Sequence, residues 1–215
     1  AVGDAWAGRT LVVLDRHGVA ERLVTALRAE GRDVVVASGT DAPALVAVEA
    51  ARIIDCSTLD APPDLHRMFD LCRAIAGVAR DLELVVVTDD VEDVTGSEPI
   101  DAGKAAMAGP LMVLPQERPG VTCRTVDITG WRSENAATLT QLLVGEIGGG
   151  SERAVAWRHG HRWIRSFNAV TVPAHPSVPL RQGGSYLITG GLGGVGLILA
   201  EHLTSTYGAK VALVA

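Results

Sequence analysis

Ser185-Tyr186-Leu187-Ile188-Thr189-Gly190-Gly191-Leu192-Gly193-Gly194-Val195-Gly196 runs from a short apolar segment into a cluster of glycines. The first five residues read as a buried strand. After the cluster, Val195, Ile198, Leu199, His202 and Leu203 recur at helical spacing, and Gly208 stands where a helix stops. Val211-Ala212-Leu213-Val214 reads as a second, parallel strand. A glycine-rich turn between strand and helix is the setting in which such a pattern binds a nucleotide diphosphate. Gly190 allows the tight turn, Gly194 lets the backbone approach a pyrophosphate, and Gly196 lets the helix pack close on the sheet. The helix start then offers free N–H groups and a partial positive charge to the phosphates.

Rival phosphate loops fit less well. A Walker loop needs Lys followed by Ser or Thr after the last glycine, and Leu197 and Ile198 stand there. A methyl-donor site usually carries an acidic residue at the strand end, where this chain has Thr189. Thr189, Gly190, Gly191, Leu192, Gly193, Gly194, Val195 and Gly196 are therefore the candidate cofactor-binding residues.

Upstream, short apolar strands alternate with helical stretches, the pattern of a parallel sheet covered by helices. Thr10–Leu14, Val34–Ala37, Arg52–Cys56, Leu84–Thr88 and Thr122–Asp127 are the strand candidates. Leu65, Met68, Phe69, Cys72, Ile75 and Ala79 mark one helix face. Leu11–Leu14 leads into Asp15-Arg16-His17-Gly18 and a helix ending near Gly31, which imitates a nucleotide-binding start. Only one glycine occupies that turn, and Arg16 and His17 fill the space a phosphate would need. This half reads as a Rossmann-like fold without a cofactor.

Farther on, Ser133 is the expected N-cap of a helix carrying Ala137, Leu142 and Leu143. Ala154–Arg158 and Arg162–Phe167 flank His159-Gly160-His161 as a β-hairpin. The proline-rich stretch from Val172 to Pro179 reads as a linker. The expected organisation is a Rossmann-like unit over 1–171, a linker over 172–183, and the first βαβ of a second Rossmann fold over 184–215. Only nineteen residues follow Gly196, and Ala1-Val2-Gly3-Asp4-Ala5-Trp6 reads as a cut from a longer polypeptide.

Among 215 residues, 47% are hydrophobic and the formal charge is −6, so the chain can bury a sizeable core but offers no basic surface for nucleic acid. No apolar stretch is long enough to span a bilayer. Cys56, Cys72 and Cys123 lack metal-ligand spacing and sit in apolar contexts, which fits reduced thiols in the cytoplasm. His159 and His161 would point to one side if strand geometry persisted through the turn, but no third metal ligand lies near. Asp89, Asp90, Glu92 and Asp93 match no calcium loop and read as a solvated acidic loop. With no nucleophile elbow and no Cys/His pair in a supporting motif, no metal site and no catalytic residue is assigned.

Three passages resemble the ketoreductase domains of modular polyketide synthases, which are short-chain dehydrogenase/reductase-like. Gly184 to Gly196 followed by Leu199-Ala200-Glu201 resembles the start of their catalytic subdomain. Gly109 to Glu117, together with Cys123-Arg124-Thr125-Val126-Asp127, is similar to the late part of their structural subdomain. Arg162-Trp163-Ile164-Arg165-Ser166-Phe167 resembles the segment that closes it. The resemblance implies a truncated, non-binding Rossmann-like structural subdomain followed by an NADPH-binding one. It also implies reduction of a β-ketoacyl group, held as a thioester on an acyl carrier protein, by a Ser, Tyr and Lys set that has no matching positions in this chain. A non-catalytic scaffold packing against neighbouring synthase domains is the alternative.

Overall fold

The computed structural model describes residues 7–39, 41–60, 64–171 and 179–215. The opening hexapeptide and most of the proline-rich linker, 172–178, lie outside the described residues. The chain divides into two compact units, Ala1–Ser166 and Phe167–Ala215.

In the first unit the strands are β1 (Thr10–Val13), β2 (Val34–Ala37), β3 (Arg52–Asp55), β4 (Leu82–Thr88), β5 (Val121–Asp127), β6 (Ala154–Arg158) and β7 (His161–Ile164). They form one sheet in the order β2-β1-β3-β4-β5-β6-β7. All pairings are parallel except the last, where β7 returns antiparallel to β6. The helices are α1 (Val19–Ala29), α2 (Ala42–Ala47), α3 (Leu65–Ala76), α4 (Ala102–Ala106), α5 (Ala108–Glu117) and α6 (Ala136–Gly149).

Burial on both faces explains why the central strands are nearly continuous runs of Val, Leu and Ile. Val12, Ile54, Val85, Val87 and Val126 pack under α1 and α6 through Leu23, Leu27, Leu139, Leu143 and Ile147. Leu11, Val13, Ile53, Leu84 and Val86 pack on the other face under α2, α3 and α5 through Leu45, Met68, Leu71, Ile75, Leu111 and Leu114. This is the α/β, Rossmann-like parallel sheet that the strand pattern predicts.

Several local expectations need correction. In α3 the stripe is Met68, Leu71, Cys72 and Ile75, and Phe69 is 49% exposed, because one position beyond Met68 turns it about 100° away from the sheet. Ala79 lies beyond the helix, which stops at Gly77. Asn135, not Ser133, caps α6, its side chain accepting from the amides of Ala137 and Thr138 at 2.9 and 3.3 Å. Ser133 sits one turn earlier in a short 3-10 segment, Trp131–Ser133. In the hairpin, Arg158 pairs with His161, so the turn is the dipeptide His159-Gly160, at φ 51° and 77°. Two successive positive φ values are what a type I′ turn requires. Strand geometry therefore does not persist from His159 to His161, and β7 ends at Ile164 short of Phe167.

The second unit contains β8 (Ser185–Thr189), α7 (Gly194–Tyr207) and β9 (Lys210–Val214). β8 and β9 pair in parallel from Ser185↔Lys210 to Thr189↔Val214. Gly208, at φ 56°, ends α7. The helical stripe expected here is mostly exposed within the unit, with Val195 at 74%. Two strands and one helix offer little surface against which it could be covered.

Candidate dinucleotide-phosphate site

The turn between β8 and α7 is built from its glycines. Gly190 leaves the strand at φ 68°, a conformation that side chains resist. The Gly191 amide then donates to the Val214 carbonyl at 2.9 Å, tying the loop to the end of β9. A Cβ on Gly191 would lie 2.7 Å from the Ile188 carbonyl oxygen, and one on Gly196 would lie 2.6 Å from the Gly191 Cα. Gly196 thus permits the helix start to approach the loop that leaves the end of β8. Around Gly194 there is open space for a Cβ.

Gly193 is the N-cap of α7, and its carbonyl receives the first helical bond, from Leu197 at 3.0 Å. The amides of Gly194, Val195 and Gly196 precede that bond, so they have no acceptor inside the helix. No side chain caps the helix, and no acidic residue stands in its first turn. The Leu192 and Val195 side chains are exposed. This arrangement can take an anion: the N–H groups of the first turn, unpaired within the helix, stand at the positive end of its dipole, next to a loop whose Gly191 and Gly196 pack too tightly for side chains. A dinucleotide diphosphate fits these donors.

The corresponding turn of the first unit, between β1 and α1, has the same elements and a different occupant. One carboxylate, that of Asp15, accepts from the amides of His17 at 2.8 Å, Val19 at 3.2 Å and Ala20 at 2.7 Å. The helix start is filled by the chain's own anion. Arg16 and His17, expected to block the turn by bulk, leave the filling to Asp15: Arg16 extends into solvent beside Asp60, and His17 rests edge-on against Trp131. The signal in the sequence is an Asp directly after a strand and ahead of a single-glycine turn.

The same self-sufficiency runs along the carboxyl ends of the neighbouring strands, where open α/β sheets hold their ligands. Asp55 is held by Arg67 and by Ser57, whose amide and hydroxyl donate at 3.0 and 2.7 Å. Asp127 accepts from Arg158 at 2.6 Å, from the Glu92 amide at 3.0 Å and from Thr88 at 3.2 Å. Asp89 pairs with Lys104, and accepts from Trp131 Nε1 at 3.0 Å and Arg132 at 3.2 Å. Asp89 is only 2% exposed, which corrects the expectation that this segment is solvated; of its acidic residues Asp93 alone is fully at the surface. Burial, with the charge of Asp89 next, raises the Asp90 carboxyl above its ordinary range.

Other sequence candidates stay apart. His159 occupies the hairpin turn and His161 begins β7. Among the described residues no group of three or more His, Cys, Asp or Glu side chains could hold a metal ion. The three cysteines are buried and unpaired. Among the described residues no helix is long and apolar enough to cross a membrane.

Comparison with known proteins agrees with this architecture. No family model matches the chain. It is 31% identical over 144 residues to a phenolphthiocerol/phthiocerol polyketide synthase of Mycobacterium tuberculosis, an alignment covering 66% of this chain and 8% of that protein. The chain thus spans a small part of the curated relatives it matches. Among solved structures, a keto acid-selecting NRPS module with adenylation, ketoreductase and pseudo Asub domains superposes with a TM-score of 0.74 at 18% identity, over 96% of this chain and 21% of that one. The first ketoreductase of the tylosin PKS superposes with a TM-score of 0.68 at 19% identity, over 99% of this chain and 57% of that one. The chain is thus a relative of polyketide synthases, aligned over 66% of its length, and carries the fold of their ketoreductase domains.

Proposed function

We propose that the chain is the structural subdomain and the first βαβ of a polyketide synthase ketoreductase, and that Thr189 to Gly196 hold the diphosphate of NADPH. The observation that supports this is the uncapped start of α7 over a cradle of glycines. The amides of Gly194, Val195 and Gly196 would donate to the diphosphate, and the helix dipole would offset its charge. Gly190 and Gly191 would keep the loop flat enough for that approach. When bound, NADPH supplies a hydride, here to a β-ketoacyl thioester carried by an acyl carrier protein. No residue of this chain is assigned to proton transfer, so the 215 residues by themselves are expected not to turn over. The unpaired, buried thiols accord with a reducing, cytoplasmic setting.

For the first unit alone, the self-filled turn at Asp15 favours a second role, that of scaffold among neighbouring synthase domains. NADPH fluorescence on binding separates the readings. Wild-type chain should enhance it, and Gly194→Asp, which places a carboxylate at the uncapped helix start, should abolish the signal. Absence of binding by wild type, with no reduction of a β-keto thioester surrogate by the complete domain, would leave the scaffold reading alone.

A further inference from the structure

We draw no further inference here: the strongest candidate, the cavity of about 270 Å3 beside edge strand β7 that Ala154, Ala156 and Trp163 line together with Glu92 and Asp93, is an unpartnered stretch of sheet face, and nothing in the structure shows what covers it.

Discussion

Gly196 of helix α7 lies so close to Gly191 that a Cβ added to Gly196 would stand 2.6 Å from the Gly191 Cα. Backbone, not a movable side chain, is the obstacle, so Gly196→Ala must displace the helix start. Overpacking of this kind costs about 1–3 kcal/mol. Gly194→Ala meets open space and should leave the loop intact. Under the proposed function both variants weaken NADPH binding about tenfold or more, but only Gly196→Ala also loosens the second unit. Titration by fluorescence and amide hydrogen exchange of β8 and β9 would resolve the two effects, and equal exchange in both variants would refute the packing argument.

Asp15→Ala removes the acceptor of three amides at the start of α1. Loss of a capping side chain costs about 0.5–2 kcal/mol, and buried donors left unsatisfied push the figure toward the upper end. Denaturant unfolding of the full chain should show this loss. Asp15→Asn, which keeps one acceptor oxygen, should recover part of it.

Arg158 is a heavily engaged, buried cation of the first unit. It donates to the Asp127 carboxylate at 2.6 Å, to Glu98 at 3.3 Å and to the Glu92 carbonyl at 2.7 Å. Removing one partner of a buried pair strands the other, at a cost of about 3–5 kcal/mol. Arg158→Ala should therefore unfold at markedly lower denaturant. Arg73→Ala is the control: its guanidinium faces Asp70 at 3.7 Å with most of the side chain in solvent, and such surface pairs contribute about 0–1 kcal/mol.

His159 holds φ 51° in the hairpin turn, where glycine and asparagine are at ease. His159→Asn should stabilise the chain by up to about 1 kcal/mol by easing the left-handed backbone, and His159→Gly by less, because glycine also frees the unfolded chain. An unchanged or lower melting temperature for both would contradict the turn assignment.

Burial pushes the Cys72 thiol up to about 11 and, reinforced by Cys72, the Cys123 thiol up to about 12, from an ordinary value near 9. Above pH 9 the unfolded chain releases thiol protons that the folded chain retains, so stability falls as pH rises from 9 toward 11. The slope is at most about 1.4 kcal/mol per pH unit for each thiol. Replacing both residues by alanine should lessen the fall in stability measured from about pH 8 to about pH 10.5 relative to the parent chain, with the buried Cys56 thiol, also raised by burial, keeping part of the slope.

The strands and the glycine turn before α7 were legible because hydrophobic runs and glycines act locally: Val34–Ala37 and Ser185–Thr189 coincide with β2 and β8. Lys104 and Asp89 were not legible as a pair. They are fifteen positions apart, and nothing local shows that α4 carries the ammonium into a buried pocket of carboxylates. Asp127 and Arg158 are hidden for the same reason, since only the pairing of β5 with β6 brings them together. Asp15 was visible as a residue but not as an occupant, because its role depends on where three amides point.

Filling of the first turn by Asp15 has a stoichiometric consequence. Between the β1–α1 and β8–α7 starts, the latter alone leaves its leading amides free of a side-chain acceptor. A calorimetric titration with dinucleotide should saturate at a single equivalent per chain. Under the proposed function the first start cannot compete with the second for cofactor, and a mole of synthase segments would sequester no more than a mole of NADPH.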